Sequence, residues 1–141
     1  MEKEATLDAL VNAAVKVGLD GTDAVAKYSY EELGRIYNGI GSDAMPERIR
    51  ERVTDYLSLF EPAALIHDVR YHESDGTSAA WHEANQEFLH NCLELVARKY
   101  GWINIFRVGR AKIAAYAMFD FVESPLGHAA WMKAFEERAK R

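Results

Sequence analysis

The sequence is best read outward from Pro62-Ala63-Ala64-Leu65-Ile66-His67-Asp68-Val69-Arg70-Tyr71-His72. This segment is apolar on most sides of a helical wheel, which predicts a helix at the centre of the core. His67, Asp68 and Tyr71 interrupt the apolar surface. His67 and Tyr71 are four residues apart and therefore share one face of the helix. Because buried polar groups need partners, this face predicts either a functional site or a structural polar network.

Helical periodicity continues through almost the whole chain, and it predicts an all-α fold in a single domain, residues 1–141. A first helix is predicted to end at Gly18, and a short helix to begin at Ser29, with Glu32 completing a capping box. Another helix is predicted after Pro46, and Pro62 is expected to kink or restart it. Later helices are predicted over about 79–100, over about 102–122 and after residue 127.

The helix predicted over about 79–100 carries the expected partner of the His67 face. Four apolar residues recur on it at intervals of three, four and seven, and Asn85 falls within their stripe. Two helices joined by a short turn tend to pack antiparallel. We therefore expect Asn85 to meet His67 and Tyr71 across the core. The apolar residues of the stripe are Trp81, Phe88, Cys92 and Leu95.

A glycine-punctuated turn, Tyr37-Asn38-Gly39-Ile40-Gly41, precedes these helices. Alternating glycines allow a loop to turn its carbonyl oxygens toward a hard cation, because glycine reaches the required backbone angles without steric cost. One carboxylate would complete such a site, and Asp68 is the candidate. Its neighbour His67 would then be free to activate a water molecule.

These two elements together resemble the phospholipase A2 superfamily, which is marked by a Tyr-x-Gly-x-Gly calcium loop and by His-Asp-x-x-Tyr on a helix. The resemblance covers roughly residues 37–92, within a phospholipase A2-like core of about 37–100. It implies two central antiparallel helices. It also implies calcium as cofactor, bound by the backbone carbonyls of Tyr37, Gly39 and Gly41 and by the Asp68 carboxylate.

The resemblance further implies an activity, the hydrolysis of glycerophospholipid ester bonds. His67 would be the general base, Tyr71 its support, and calcium would stabilise the oxyanion. The lone cysteine, Cys92, rules out an internal disulfide framework, so the chain is closer to the disulfide-poor viral and bacterial members. The interval from Gly41 to His67 is also longer than in compact members.

Asn85 is the main departure from this family, which has an aspartate facing the histidine. An amide hydrogen-bonds the imidazole, but it does not stabilise the imidazolium, and it can select the other tautomer. In serine proteases the same acid-to-amide change costs about four orders of magnitude in turnover. Glu83 and Glu87 point away from this face, which leaves Asp120 as the alternative carboxylate.

Three functions therefore compete: a calcium-dependent phospholipase A2-like hydrolase weakened by Asn85, an inactive phospholipase A2-like binding module, and an unrelated helical protein with a structural His-Tyr-Asn network. The partner expected for the first is a phospholipid or another lipid ester. The net charge of −5 argues against nucleic acid and against an electrostatic grip on anionic membranes. Contact with a membrane surface would then be apolar or calcium-mediated.

Two further expectations concern location and the remaining side chains. No signal peptide or membrane span is recognised, so the protein is expected to be cytoplasmic or released without a classical signal peptide. His82, Glu83 and Gln86 superficially resemble a zinc helix but lack the second histidine, and a solvated surface is expected there. A basic cluster, Arg107, Arg110 and Lys112, is expected to be a solvated face. The aromatic residues expected in the core are Trp102, Phe106, Tyr116, Phe119, Phe121 and Trp131.

Overall fold

The fold is all-α in a computed structural model, which describes residues 2–37, 45–101 and 104–141. No strand forms among these residues. A single 3₁₀ turn, Thr54–Tyr56, separates the fourth and fifth helices. The helices are α1 (Glu2–Val17), α2 (Thr22–Val25), α3 (Tyr30–Ile36), α4 (Glu47–Val53), α5 (Leu57–His72), α6 (Ser78–Tyr100), α7 (Ile105–Val122) and α8 (Pro125–Ala139).

The centre of the molecule is the antiparallel pair α5 and α6, as the sequence predicts. The contacts show that the two helices run in opposite directions. His67 contacts Asn85, whereas Tyr71, which comes later in α5, contacts both Asn85 and the earlier Trp81 of α6. The face of α5 that looks inward is fully apolar, with Phe60, Leu65, Ile66 and Val69 at or near zero exposure. α5 is therefore buried along its inward face, while Asp68 and Tyr71 on its other side are only partly buried.

The ends of several helices follow from local sequence. Ser29 accepts a hydrogen bond from the Glu32 amide, and the Glu32 carboxylate accepts one from the Ser29 amide, which is the capping box predicted for α3. α1 and α6 end before Gly18 and Gly101, whose φ angles of +81° and +62° are readily adopted only by glycine. These three expectations are confirmed.

The position of the break before α5 differs from the prediction. Pro62 does not restart a helix; it lies inside α5, and the discontinuity occurs upstream, at the 3₁₀ turn. A proline removes the hydrogen bond to the carbonyl four residues earlier, here that of Ser58. Because α5 begins only at Leu57, this loss falls in its first turns. Pro62 is also buried, so the ring contributes to the core.

The contact between α7 and α8 depends on one glycine. Gly127 is buried in the first turn of α8, and a β-carbon placed on it would lie 1.9 Å from the carbonyl oxygen of Val122. α8 begins at Pro125, three residues earlier than predicted, because proline is favoured in the first turn of a helix. The absence of a side chain at Gly127 therefore sets how closely α8 approaches the end of α7.

The aromatic residues of α7 correct one expectation. Phe106 and Tyr116 were assigned to the core, yet their exposed fractions are 83% and 50%. The buried positions of α7 are mostly alanines, so the small side chains, and not the aromatic ones, face α6. Trp131 is buried, as expected. Within the described residues, no helix combines the length and the apolar character needed to cross a bilayer.

Candidate active site

The predicted meeting of α5 and α6 brings His67 into contact with Asn85. The His67 Nε2 atom lies 2.8 Å from the Asn85 Oδ1 atom, and the Tyr71 hydroxyl lies 3.1 Å from the same oxygen. Asn85 is completely buried, and His67 is 8% exposed. The three polar residues singled out in the sequence therefore form one cluster in the core.

The orientation of the Asn85 amide follows from its partners on α7. Its Nδ2 atom donates to the Val122 carbonyl at 3.2 Å and to the Glu123 carboxylate at 2.6 Å. Both partners are pure acceptors, so the amide nitrogen must face them and the amide oxygen must face His67. The His67 Nε2 atom then carries the proton. In the neutral ring the free lone pair lies on Nδ1, which makes no hydrogen bond to any described residue.

Glu123 is the site residue that sequence analysis missed. Asp120 was the alternative carboxylate, but the acid that reaches Asn85 is Glu123, which caps the C-terminal end of α7. Its second carboxylate oxygen lies 2.7 Å from the His82 Nδ1 atom. A continuous chain of hydrogen bonds therefore runs from His67 through Asn85 and Glu123 to His82, whose side chain is 51% exposed.

The far end of this chain, His82, lies at the surface, as the sequence predicts. Its ring is also held by Glu123 and by a ring contact with Trp81 at 4.8 Å. Glu83 is exposed, as expected. Glu87 instead forms a two-pronged ion pair with Arg70, at 2.9 and 3.0 Å, which clamps α5 to α6.

Tyr71 is fixed on both sides of its hydroxyl group. The hydroxyl donates to Asn85 and accepts a hydrogen bond from the Trp81 indole at 3.1 Å. Its ring lies 4.4 Å from the His67 ring and packs edge-on against Trp131. Burial raises the pKa of Tyr71 to about 12, so the hydroxyl stays protonated as a donor. These contacts hold His67 in one orientation.

Burial also sets the charge state of His67. It lowers the pKa of His67 to about 4, and the hydrogen bond to Asn85 opposes this only in part. The ring is therefore neutral at pH 7. Phe88, whose ring centre lies 4.8 Å from that of His67, contributes to the apolar surroundings. A neutral imidazole with a defined tautomer is the form that can accept a proton.

The predicted calcium ligands are only partly within the described residues. Tyr37 is buried, and its hydroxyl donates to Glu61 at 3.3 Å. Burial raises the pKa of this hydroxyl, and the nearby charges of Glu61 and Asp68 raise it further. The Tyr37 hydroxyl therefore lies within electrostatic range of the Asp68 carboxylate. Gly39 and Gly41, whose backbone carbonyls are also predicted ligands, lie outside the described residues.

The described side chains form no multi-ligand metal site, and the calcium site predicted from the sequence relies on backbone oxygens instead. Residues 2–37, 45–101 and 104–141 contain no cluster of three or more histidine, cysteine or acidic side chains suited to a metal. The predicted site uses a single carboxylate and backbone carbonyls, which is oxygen-only chemistry of the kind calcium prefers. The cavity lined by Arg70, Glu83 and Glu87 does not include His67.

Comparison of the chain with protein-family models, with curated proteins and with solved structures gives no match.

Proposed function

We propose that this protein is a phospholipase A2-like ester hydrolase in which His67 is the general base. The observation that carries the proposal is the orientation of Asn85, which presents its oxygen to His67 Nε2 and so leaves the Nδ1 lone pair as the proton acceptor. In the reaction, Nδ1 would take a proton from a water molecule that attacks the ester carbonyl. Tyr71 keeps the ring and the amide in place.

Glu123 supports the proposal by supplying a negative charge behind Asn85. An asparagine alone does not stabilise the imidazolium that forms when His67 takes a proton. The Glu123 carboxylate polarises the Asn85 amide through the hydrogen bond to Nδ2, and the amide oxygen in turn faces the imidazolium. The chain would thus retain part of what a directly bonded aspartate provides, with lower expected turnover.

Calcium is the cofactor of this proposal, held by Asp68 and by the carbonyls of Tyr37, Gly39 and Gly41. When bound, it would supply electrostatic stabilisation of the developing oxyanion. The side chains have three separate roles. Asp68 would bind the calcium ion, Asn85 would orient the His67 ring, and His67 would take the proton from water.

The test is hydrolysis of a phospholipid with different acyl chains at its two ester positions, measured across a range of calcium concentrations. We expect wild-type protein to release the chain from the middle glycerol carbon. His67→Gln should abolish release, and His90→Gln, which changes an exposed histidine on α6, should leave it unchanged. Circular dichroism would verify that both variants are folded. No release by wild type at any calcium concentration would overturn the proposal and leave the cluster a structural network.

A further inference from the structure

The outward face of α7 carries an apolar stripe that is exposed and has no partner among the described residues. Ile105, Phe106, Ile113 and Tyr116 have exposed fractions of 76%, 83%, 56% and 50%. Positions 105, 109, 113 and 116 are separated by four, four and three residues, so they follow one line along the helix. Phe106 lies beside Ile105 at the start of this line, and Gly109 has no side chain that could cover the residues next to it. We call Ile105, Phe106, Gly109, Ile113 and Tyr116 the α7 stripe.

Single exposed hydrophobic residues are common, but this grouping is not scattered. Four of the eight large hydrophobic side chains exposed in the described part of the chain belong to the α7 stripe. The other four, Val15, Tyr30, Leu126 and Phe135, are divided among three other helices. A contiguous exposed apolar surface marks an interaction site more reliably than isolated side chains do.

Basic side chains flank the stripe on both sides. At ~100° per residue, Lys112 lies roughly 70° to one side of its centre and Arg110 roughly 90° to the other. Both are exposed, as is Arg107 in the first turn. The single acid of α7, Asp120, is exposed and continues the same line four residues after Tyr116, so the apolar stripe ends before it. Long basic side chains can extend to anionic head groups while an apolar face enters the interface.

We propose that the α7 stripe is a membrane-contact surface that lies flat on an anionic phospholipid bilayer. The positive flanks complement anionic head groups, and the stripe enters the boundary of the acyl chains. The charge pattern disfavours a second copy of this chain, because two stripes placed face to face would bring like-charged flanks together. Since the whole chain carries a net charge of −5, attachment requires the apolar residues together with the local positive flanks.

This inference does not require the proposed hydrolysis, and its test is independent of catalysis. Cys92 is completely buried, so a thiol label will react selectively with a cysteine introduced at the surface. Ile113→Cys places an environment-sensitive fluorophore in the α7 stripe. Val15→Cys is the matched control, because Val15 is 60% exposed on α1. Vesicles of ether-linked phosphatidylcholine with or without phosphatidylglycerol, in the presence of EDTA, exclude both hydrolysis and calcium bridging.

We expect the fluorophore at position 113 to shift to the blue with anionic vesicles and to respond weakly to zwitterionic ones, while the fluorophore at position 15 stays unchanged. In a sedimentation assay with unlabelled protein, Phe106→Ser with Ile113→Ser should weaken binding by about tenfold or more. Arg110→Glu with Lys112→Glu should weaken it by about tenfold at low salt. Val15→Ser should have no effect.

Two outcomes would overturn the proposal. One is an equal response, or no response, at positions 113 and 15 in the presence of anionic vesicles. The other is a shift at position 113 that depends on protein concentration without any lipid, which would identify the stripe as a contact between copies of the chain. Inactivity toward phospholipid, by contrast, would count against the proposed function and leave the membrane contact standing.

Discussion

Asn85 and Glu123 share a hydrogen bond of 2.6 Å, and this contact determines what an acid at position 85 would do. Asn85→Asp would place two carboxylates side by side in the core, where both cannot remain ionised at low cost. We expect the variant to lose about 2–4 kcal/mol of unfolding free energy at pH 7. The loss should shrink in acid, as protonation removes the repulsion. Denaturant unfolding at pH 7 and pH 4 measures both.

The control for this variant is the double substitution Asn85→Asp with Glu123→Gln, which removes the second carboxylate. The glutamine can donate to the new carboxylate, so most of the lost stability should return. Glu123→Gln alone should cost less than Asn85→Asp, because its side-chain oxygen can still accept from Asn85. A coupling energy between the two substitutions below about 0.5 kcal/mol would contradict the assigned contact. If the proposed function holds, the double variant should also turn over ester faster than wild type.

His67 gives the molecule a predicted sensitivity to acid. The folded chain keeps His67 neutral down to its pKa of about 4, whereas the unfolded chain binds the proton near pH 6.5. Between these values the unfolded state holds more protons, so stability falls as the pH is lowered through that window. The contribution of His67 reaches at most about 3 kcal/mol. Unfolding in EDTA at pH 7, 5.5 and 4.5 measures it.

The control for this prediction is His67→Gln, which cannot titrate and should show a shallower loss of stability between pH 6.5 and pH 4. Glu73 persists in the variant. Burial alone would raise its pKa, but hydrogen bonds from Lys27 and Tyr28 outweigh this and lower it. Its contribution to stability is therefore also lost in acid, at lower pH. Identical slopes in wild type and variant would show that the pKa of His67 is the same in the folded and the unfolded chain, and would contradict the prediction.

At the scale of the helices, alanine substitutions at two glycines are expected to change the free energy of unfolding in opposite directions. Gly127→Ala would drive a methyl group into the Val122 carbonyl, the same oxygen that accepts from Asn85. We expect it to lower the free energy of unfolding by about 2 kcal/mol or more. Gly109→Ala, inside α7 with no atom within 4 Å of the added carbon, should raise it by about 0.5–1 kcal/mol. Thermal unfolding of the pair measures both effects, and equal melting temperatures would refute the close α7–α8 contact.

Some of these elements could be predicted because the determining signal is local. Ser29 and Glu32 lie three residues apart, and a capping box needs nothing beyond that turn. The meeting of His67 and Asn85 needed one more assumption, that a short turn forces α5 and α6 to pack antiparallel. Both predictions use positions on one helix or on two consecutive helices, where spacing alone fixes the geometry.

Glu123 could not be found in this way, because its contact is set by the register between α6 and α7. It lies 38 residues from Asn85 and just beyond the end of a helix, where periodicity no longer assigns a face. Phe106 and Tyr116 were misassigned for a related reason. Aromatic residues are expected inside, but alanines fill the contact of α7 with its neighbours. Which face of a helix is buried depends on the size of the side chains it must fit against.

At the scale of the whole molecule, calcium binding as proposed would join the segment of residues 37–41 to the central helix α5. A ligand that binds only the folded state raises its stability in proportion to the logarithm of its concentration, by about 2.7 kcal/mol at one hundred times the dissociation constant. We therefore expect millimolar calcium to raise the melting temperature. Magnesium should do so less, because it requires a tighter octahedral shell.

Asp68→Asn should abolish the rise with calcium, since it removes the single carboxylate of the proposed site. Glu61→Gln is the matched control, because Glu61 lies on α5, also beside Tyr37, where it accepts the hydroxyl hydrogen bond. It should alter the stability of the free protein but keep the calcium-dependent increment. Calcium stabilisation that disappears with Glu61→Gln and survives Asp68→Asn would place the ion between Glu61 and Tyr37. The ion would then lie away from the Asp68 carboxylate, where it could not serve the chemistry proposed for His67.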